Sequence, residues 1–239
     1  MALKREFVKL ISKTTLKPLG YKAIKEHQDY DFYLHEYKSY EEYRDVQIHF
    51  NKQKIDWVWA DEKTLDRLIK IILDEFPKNS EIHGLCHGTR NGFEQNYLRT
   101  TSDKIQAIGT DISETAHDYE NSVQWDFHDV REDWIGSMDF VYTNSLDQSW
   151  QPKVALETWL GQLNRNGILV IEHTNEGHGP IGASEMDPFG VRPTVLPYVL
   201  TMWFGAQITI EHSVDKKENN GFEAWLFVIR KNVNEVKLL

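Results

Sequence analysis

The sequence has very little cysteine and no long apolar run. Its single cysteine, Cys86, cannot form an internal disulfide or a cysteine-rich zinc site, so the composition does not indicate an oxidising compartment. No apolar stretch approaches the roughly 20 residues that cross a bilayer. The basic start of the chain is not followed by the apolar region of a signal peptide. We therefore expect a cytoplasmic protein without a membrane partner.

Basic residues are outnumbered as well. The 27 Lys and Arg residues against 37 Asp and Glu residues give a net charge of -10, and all of the acidic excess falls after residue 78. Because phosphate neutralisation supplies most nonspecific affinity for nucleic acids, a field of this sign disfavours DNA and RNA as partners. The start of the chain is locally basic, which is more typical of a solvated helix face than of a membrane-binding surface.

The middle of the chain alternates between strand and helix patterns. Apolar residues at helical spacing follow Asp61, a candidate N-cap, and predict an amphipathic helix that ends before Pro77. A helix is also expected from Pro152 to Gly167. Five strands are predicted at residues 81–85, 105–108, 123–125, 139–142 and 168–171. This alternation indicates a parallel sheet covered on both faces, with ligands beyond the carboxyl ends of its strands.

The last third changes character. Residues 174–197 contain too many glycines and prolines for regular structure, so a lid loop is predicted there. A helix follows, and then two strands at residues 208–214 and 222–229 that form an antiparallel hairpin.

The predicted fold class is therefore α/β, with a mostly parallel, doubly wound sheet of seven strands that ends in a C-terminal antiparallel hairpin. Residues 79–239 are predicted to form this Rossmann-like domain. Residues 1–78 are predicted to be a mainly helical N-terminal extension that caps the substrate pocket or makes a homodimer contact.

The loop after the first strand is the main candidate for a ligand site. Gly88 and Gly92 permit a close backbone approach and unusual dihedral angles. Their spacing fits neither the dinucleotide fingerprint nor the phosphate-binding P-loop. Asp111 stands at the tip of the second strand, where a carboxylate can accept hydrogen bonds from both ribose hydroxyls. The pattern favours a nucleoside-containing cofactor, with a helix cap as the alternative role of Asp111.

Five segments, in this order and spacing, resemble a class I S-adenosylmethionine-dependent methyltransferase. They are residues 86–92 (CHGTRNG), 108–113 (IGTDIS), 125–127 (WDF), 139–141 (DFV) and 163–170 (LNRNGILV). The resemblance extends over about residues 80–231, and the family also ends its sheet with an antiparallel strand. It implies a Rossmann-like fold, S-adenosylmethionine as the cofactor and methyl transfer as the activity.

The resemblance also implies roles for particular residues. Gly88 would lie near the methionine part of the cofactor and Asp111 at its ribose. Asp126 and the backbone of Phe127 would lie at the adenine edge, and Asn144 near the sulfonium.

Two charged residues near the loop allow more than one role. Arg90 is expected either to bind the cofactor carboxylate or to form a surface salt bridge. Glu94 is expected to face water at the first turn of its helix, with orientation of the loop as the alternative. The residues expected to bind the cofactor are His87, Gly88, Thr89, Arg90, Gly92, Asp111, Ile112, Asp126, Phe127 and Asn144.

Methyl transfer depends mainly on positioning, with a base where the acceptor is a hydroxyl. His173, just past the fifth strand, is expected to be that base because its unperturbed pKa is close to neutral. Asp147 is the second candidate, as the base or as a partner that orients His173. A histidine that only caps the strand is the alternative. His178, Glu185 and Asp187 lie in the predicted lid, where they would either touch substrate or face water.

A metal is not expected. Magnesium prefers carboxylate oxygens, whereas the positions that match metal-dependent relatives of this family hold Asn144, His173 and Thr174. A site made of Asp147, His173 and Glu185 is the less favoured alternative.

The acceptor is expected to be a small molecule. The flat faces of the tryptophans and the acidic field favour O-methylation of a hydroxylated acceptor, such as a sugar or a polysaccharide unit. Two other functions stay open. A non-catalytic scaffold is suggested by Cys86 and Arg90, which stand where the family usually has glycine. A nicotinamide-dependent oxidoreductase is less favoured, because its Tyr-x-x-x-Lys pair occurs only before the loop, at Tyr21 and Lys25.

Overall fold

The computed structural model describes residues 31–174, 182–216 and 223–232, together with Pro18. Every helix and strand described below belongs to one compact unit, Asp31–Leu239. Within the described ranges, each helix is too short or too polar to pass through a bilayer. His178, the pair Tyr21 and Lys25, and the basic start of the chain lie outside the described residues.

The described chain alternates between strands and helices. The strands are β1 (Phe32–Leu34), β2 (Ile82–His87), β3 (Ile105–Asp111), β4 (Ser122–Gln124), β5 (Met138–Thr143), β6 (Leu163–Thr174), β7 (Phe189–Val191), β8 (Ile208–Lys216) and β9 (Glu223–Lys231). The α-helices are α1 (Tyr40–Gln53), α2 (Glu62–Glu75), α3 (Phe93–Thr101), α4 (Pro152–Gln162) and α5 (Leu196–Phe204). Short 3₁₀ segments cover Glu114–Asp118, Glu132–Trp134, Leu146–Gln148 and Gly205–Gln207.

Seven of the described strands form one sheet, in the order β4-β3-β2-β5-β6-β9-β8. Strands β4, β3, β2, β5 and β6 run parallel, whereas β9 is antiparallel to both β6 and β8. The predicted fold class, a mostly parallel seven-stranded sheet with a C-terminal antiparallel hairpin, is confirmed. In this arrangement β2, β3 and β5 end side by side, because His87 is in register with both Thr110 and Thr143.

Both faces of the sheet are covered, because successive residues of a buried strand point to opposite sides. Leu85 belongs to the core on the face that α4 covers, together with Trp159. Its neighbour Cys86 belongs to the opposite core, with Leu68 of α2 and Leu98 of α3. Cys86 is therefore a strand residue with no exposed surface, and burial raises the pKa of its thiol. Strand β2 thus continues two residues past its predicted end at residue 85.

Two boundaries differ from the sequence-based prediction. Helix α4 ends at Gln162 and β6 starts at once at Leu163, so Gly167 lies inside a strand instead of ending the helix. The second difference concerns the predicted lid, residues 174–197, where the described residues include regular structure. Thr174 is the last residue of β6, and Phe189–Val191 forms β7, which pairs antiparallel with β1. Pairing with a distant strand supplies the order that the local sequence does not predict.

Helices α1 and α2 lie with the sheet in the same compact unit. Ser39 caps α1 by accepting a hydrogen bond from the Glu42 amide, and Asp61 caps α2 by accepting one from the Thr64 amide at 2.9 Å. Leu65, Leu68 and Ile72 of α2 are fully buried, and burial stabilises each such side chain by roughly 1.5–3 kcal/mol. Residues 31–78 thus pack as part of this unit. The division of the chain into an N-terminal extension and a domain after residue 78 stays a prediction.

Candidate active site

The turn between β2 and α3 has a backbone that only glycine suits at its first position. Gly88 has φ +75°, in the left-handed region, and a Cβ there would lie 2.5 Å from the Cβ of Ser145. The Gly88 and Thr89 amides both donate to the carbonyl oxygen of Thr110, at 2.8 and 3.0 Å. The loop is therefore fixed between β3 and the residues that follow β5. Gly92, the N-cap of α3, also has a left-handed backbone, with φ +74°.

Arg90 adopts the left-handed conformation that glycine usually takes, with φ 47°. Its amide donates to Oδ2 of Asp111 at 2.9 Å. Its guanidinium donates to the carbonyl oxygen of Trp57 at 3.0 Å, and the Asn91 side chain donates to the carbonyl oxygen of Ile55 at 2.9 Å. The loop is in this way tied to the segment between α1 and α2.

Asp111 ends β3 beside the loop. Its Oδ2 accepts from the Arg90 amide and its Oδ1 from the Ser113 amide, both at 2.9 Å. Burial raises the pKa of Asp111, and these backbone hydrogen bonds partly offset that rise. Each oxygen keeps acceptor capacity beyond one amide. The carboxylate is thus held rigidly and can still accept hydrogen bonds from a ligand.

Asp126 forms a buried hydrogen-bonded group after β4. His128 Nδ1 contacts Oδ1 of Asp126 at 2.6 Å, and the Tyr40 hydroxyl of α1 donates to Oδ2 at 2.9 Å. His128 Nε2 also contacts the Ser149 hydroxyl at 2.7 Å. Burial by itself would raise the pKa of Asp126, but the hydrogen bonds from His128 and Tyr40 outweigh burial and hold that pKa below its usual value. Asp126 is therefore a carboxylate at neutral pH.

Glu94 and Asn144 meet where β5 ends. The Asn144 side-chain amide donates to Oε1 of Glu94 at 3.1 Å, while its oxygen accepts from the Ser145 hydroxyl. The expectation that Glu94 faces water is wrong, because only 5% of the residue is exposed. Burial raises the pKa of Glu94 to about 7, and the nearby Glu172 adds to that rise.

A cavity of about 380 Å³, here named the central cavity, opens at this edge of the sheet. Its size is within the range of small-molecule sites, about 300–1,000 Å³. Its wall includes the loop after β2, the residues after β5, the segment between α1 and α2, and two residues of the range predicted as a lid. The lining residues are Lys54, Trp57, Trp59, Gly88, Thr89, Arg90, Asn91, Glu94, Asn144, Ser145, Asp147, Gln148, Met186 and Asp187.

A narrow cleft continues from the central cavity toward Asp111, Ile112, Asp126 and Phe127. Its volume is about 30 Å³, which is close to the space of one water molecule. Side chains of α1 form its other wall, and these are Tyr43, Gln47, Phe50 and Asn51. Helix α1 therefore covers the strand ends closely.

Most of the sequence-predicted site residues line these two spaces, including Asp147 at the central cavity. His87 does not. Its ring is buried between strand and helix, with Nδ1 on the Thr110 hydroxyl at 2.8 Å and Nε2 on Gln162 at 2.9 Å. Burial lowers the pKa of His87 to about 4. It packs on Trp159 in the core, so its predicted contact with a cofactor is wrong for the side chain.

His173 also lies away from the cavity. It belongs to β6, is 3% exposed, and its Nε2 contacts the carbonyl oxygen of Val191 at 2.7 Å. The expectation that His173 is a general base in the site is therefore not supported by its position. Glu185 is exposed. No group of three metal-ligating side chains occurs among the described residues, so Asp147, His173 and Glu185 do not assemble there into a metal site.

Several residues at the site were missed from the sequence. Tyr40, Asn51, Lys54, Trp57 and Trp59 reach it from α1 and the segment after it. They belong to no motif and stand more than 25 residues before the loop. From the sequence, this part of the chain was expected only to cap the substrate pocket or to make a homodimer contact, without particular residues.

Solved structures with this fold were found, whereas no profile of a protein family and no curated protein matched the chain. The 1,6-didemethyltoxoflavin-N1-methyltransferase of Burkholderia thailandensis, with bound S-adenosylhomocysteine, is 14% identical, with a TM-score of 0.65 over 88% of this chain and 100% of that one. The plantazolicin methyltransferase BpumL, with S-adenosylhomocysteine, is 12% identical, with a TM-score of 0.57 over 80% and 98%. The [4+2]-cyclase SpnF is 14% identical, with a TM-score of 0.53 over 79% and 94%.

These similarities concern the fold, which SpnF shares although its stated reaction is a cyclisation. A shared fold does not by itself fix a reaction. The strand order, the terminal hairpin and the structural matches agree with the resemblance found in the sequence. The described chain has the fold of the class I S-adenosylmethionine-dependent methyltransferases.

Proposed function

We propose that this protein transfers a methyl group from S-adenosylmethionine to a small acceptor bound in the central cavity. The observation that carries the proposal is the convergence of Gly88, Asp111 and Asp126 at one edge of the sheet, next to that cavity. S-adenosylhomocysteine, the demethylated form of this cofactor, is bound in the two methyltransferase structures of the same fold. Their ligand supports the choice of cofactor here.

The residues present fit such a cofactor. In our proposal the Gly88 backbone lies along its methionine part, Asp111 accepts hydrogen bonds from the ribose, and Asp126 with Phe127 lies at the adenine. The left-handed backbone of Gly88 and its position in the walls of both the cleft and the central cavity support a close passage of ligand there. The acceptor capacity left on Asp111 supports its contact with two hydroxyls.

Entry of the adenosine requires α1 to move in this proposal. The cleft beside Asp111 and Asp126 holds about 30 Å³, far less than a nucleoside needs. Tyr40 ties α1 to Asp126 by one hydrogen bond of 2.9 Å. Opening would also break the hydrogen bond from the Thr115 hydroxyl to Asn51 and the stacking of Tyr43 on Trp150, so the binding free energy of the cofactor has to offset the cost of moving α1.

The bound cofactor supplies a methyl group on a positively charged sulfur. The protein has to align the acceptor behind that methyl group and, for a hydroxyl acceptor, to take up its proton. Asp147 is our candidate for the proton acceptor. It is 4% exposed and lines the central cavity, and it follows β5 closely in the Leu146–Gln148 turn.

A hydroxylated acceptor such as a sugar remains our proposal for the substrate. Trp57 and Trp59 line the central cavity and offer flat apolar faces, on which a sugar ring can stack. Polar side chains of the same wall, such as Gln148 and Asp187, supply hydrogen-bonding groups for hydroxyls.

Calorimetric titration with S-adenosylhomocysteine tests the cofactor, with Asp111→Asn as the variant. Wild-type protein should bind and the variant should bind more weakly, and no binding at millimolar ligand would contradict the proposal.

A screen of sugars with radiolabelled S-adenosylmethionine then tests transfer. Asp147→Asn should lower turnover with little change in cofactor affinity, whereas His173→Gln should leave turnover unchanged if the protein stays folded.

The scaffold alternative rested on Cys86 and Arg90. Cys86 is a buried strand residue, and Arg90 adopts a left-handed backbone without leaving the loop. Neither residue therefore counts against cofactor binding. Cofactor binding without transfer to any acceptor would favour the scaffold.

A further inference from the structure

Glu94 holds an incompletely satisfied carboxyl group at the central cavity. It is the second residue of α3, it is 5% exposed, and it lines the cavity wall. Its Oε1 accepts from the Asn144 amide at 3.1 Å. Its Oε2 is buried and has no hydrogen-bond partner among the described residues. One oxygen is thus held in place while the other is available to a ligand.

A carboxyl group in this state is costly to keep. A buried polar atom without a partner costs about 1–3 kcal/mol, and more when it is charged. Glutamine in the same place could keep the contact with Asn144 without carrying a charge. Because burial raises the pKa of Glu94 to about 7, the carboxyl group is partly protonated at neutral pH, and a suitable ligand beside it would offset the cost of its charged form.

The surroundings of Glu94 favour a positive ligand. Asp147 and Asp187 line the same cavity. Two cations line the wall as well: the Arg90 guanidinium donates to the Trp57 carbonyl, and the Lys54 ammonium contacts the Met186 sulfur at 2.7 Å. The wall therefore carries three carboxyl groups and two cations. A hydroxyl ligand would give Glu94 a hydrogen bond only. An ammonium group would give it both a hydrogen bond and the opposite charge.

Tryptophan supports the same class of ligand. Trp57 and Trp59 line this cavity, and the face of an indole ring attracts cations within about 6 Å of its centre. Carboxylates together with aromatic faces are a suitable environment for an alkylammonium group.

We propose that Glu94, oriented by Asn144, is the binding group for an ammonium ion in the central cavity. This inference rests on the proposed function and extends it, because the ammonium has two available sources. One is the amino-acid part of the cofactor, and the other is an amino group on the acceptor, which a hydroxylated molecule can also carry. Both present the same chemistry to Glu94, and their binding can be separated by experiment.

The test compares wild-type protein with Glu94→Gln and a matched control, Glu157→Gln. Glu157 is an exposed carboxylate of α4 that pairs with Lys153, so its replacement changes the net charge equally but away from the cavity. Calorimetry at pH 8 measures binding of S-adenosylhomocysteine, which carries an ammonium, and of 5′-methylthioadenosine, which keeps the nucleoside but lacks it. Phenethylamine and its neutral analogue phenylethanol are titrated into protein with and without S-adenosylhomocysteine.

If the cofactor supplies the ammonium, Glu94→Gln should weaken S-adenosylhomocysteine binding by roughly tenfold or more. Its affinity for 5′-methylthioadenosine should not change, and Glu157→Gln should behave as wild type. If an acceptor supplies it, S-adenosylhomocysteine and 5′-methylthioadenosine should each bind the two variants as tightly as they bind wild-type protein. Phenethylamine should then bind wild-type protein and the control, and lose affinity in Glu94→Gln, whereas phenylethanol should show no such difference.

The inference would be overturned if Glu94→Gln bound both S-adenosylhomocysteine and phenethylamine as tightly as wild-type protein does. It would also be overturned if Glu94→Gln lost equal affinity for S-adenosylhomocysteine and for 5′-methylthioadenosine. Failure of wild-type protein to bind either nucleoside would contradict the proposed function instead, and the amine titration of unloaded protein would still decide on Glu94. Thermal melting checks that the variant is folded. If it is not, proton release by wild-type protein on binding near pH 7, measured in two buffers, gives a second readout.

Discussion

Replacement of Gly88 by alanine tests whether the turn after β2 is built around the absence of a side chain. The new Cβ would lie 2.4 Å from the hydroxyl oxygen of Ser145 and 2.5 Å from its Cβ. The residue would also have to keep φ near +75°, in the left-handed region. Two separate costs therefore add at this position.

The two costs can be separated with Gly136, which has φ +64° and no atom within 4 Å of an added Cβ. Gly136→Ala should lose only the left-handed backbone term, roughly 1–2 kcal/mol. Gly88→Ala should lose the same term and a further 1–3 kcal/mol or so for overpacking, because the opposing Cβ of Ser145 is attached to backbone and cannot rotate away. The expected total is roughly 2–5 kcal/mol.

Urea unfolding measures these free energies, with Ser145→Gly and the double variant Gly88→Ala/Ser145→Gly completing a cycle. Removal of the Ser145 side chain should recover the overpacking part of the loss and leave the backbone part. The reasoning is refuted if Gly88→Ala is no more destabilising than Gly136→Ala, or if the double variant recovers nothing.

Three further predictions concern other contacts of the site. Arg90→Gly should be more stable than Arg90→Ala by about 1 kcal/mol in urea unfolding, because both lose the bond to Trp57 but only alanine retains the left-handed strain; equal stabilities would contradict the assigned backbone strain. Tyr40→Phe should lose about 1 kcal/mol of stability and bind S-adenosylhomocysteine faster in stopped-flow experiments, because α1 is no longer tied to Asp126; an unchanged association rate would remove this hydrogen bond from the opening step. The pKa of Glu94, about 7 in the folded chain, is raised above its unfolded value, so its contribution to stability is complete below pH 4 and is lost as the pH rises through 7. Wild-type stability should therefore fall relative to Glu94→Gln between pH 5 and 8, by up to roughly 3 kcal/mol, and parallel pH profiles would contradict the burial of this charge.

His173 and Asp147 illustrate how far the sequence could lead within the site. Both were candidates because they follow strands, and ligands of parallel sheets bind beyond strand ends. Strand β6 continues to Thr174, however, and His173 is still inside it, with its ring against the Val191 carbonyl. Asp147 follows β5 after the strand has ended and lines the cavity. A shift of three residues in the end of β6, from residue 171 to Thr174, decides this difference, and periodicity does not define strand ends so closely.

The glycine loop was recognisable, but the role of its neighbours was not. Gly88 and Asp111 could be identified from the sequence alone, because their roles follow from the backbone freedom of glycine and from a position at the tip of a strand. Glu94 looked like a solvated residue at the start of a helix. It is buried because Asn144 and the residues after β5 close over it, and those contacts join segments about 50 residues apart.

The sequence by itself determined the order and type of the main elements and the general place of the site. Each strand and helix of the sheet domain has its own apolar periodicity, which depends on neighbouring residues only. The tertiary structure alone decided that α1, Trp57 and Trp59 cover the strand ends, that β1 pairs with β7, and that Glu94 faces a cavity. These features depend on packing between distant segments, where burial and hydrogen bonding are set by three-dimensional neighbours that no local pattern specifies.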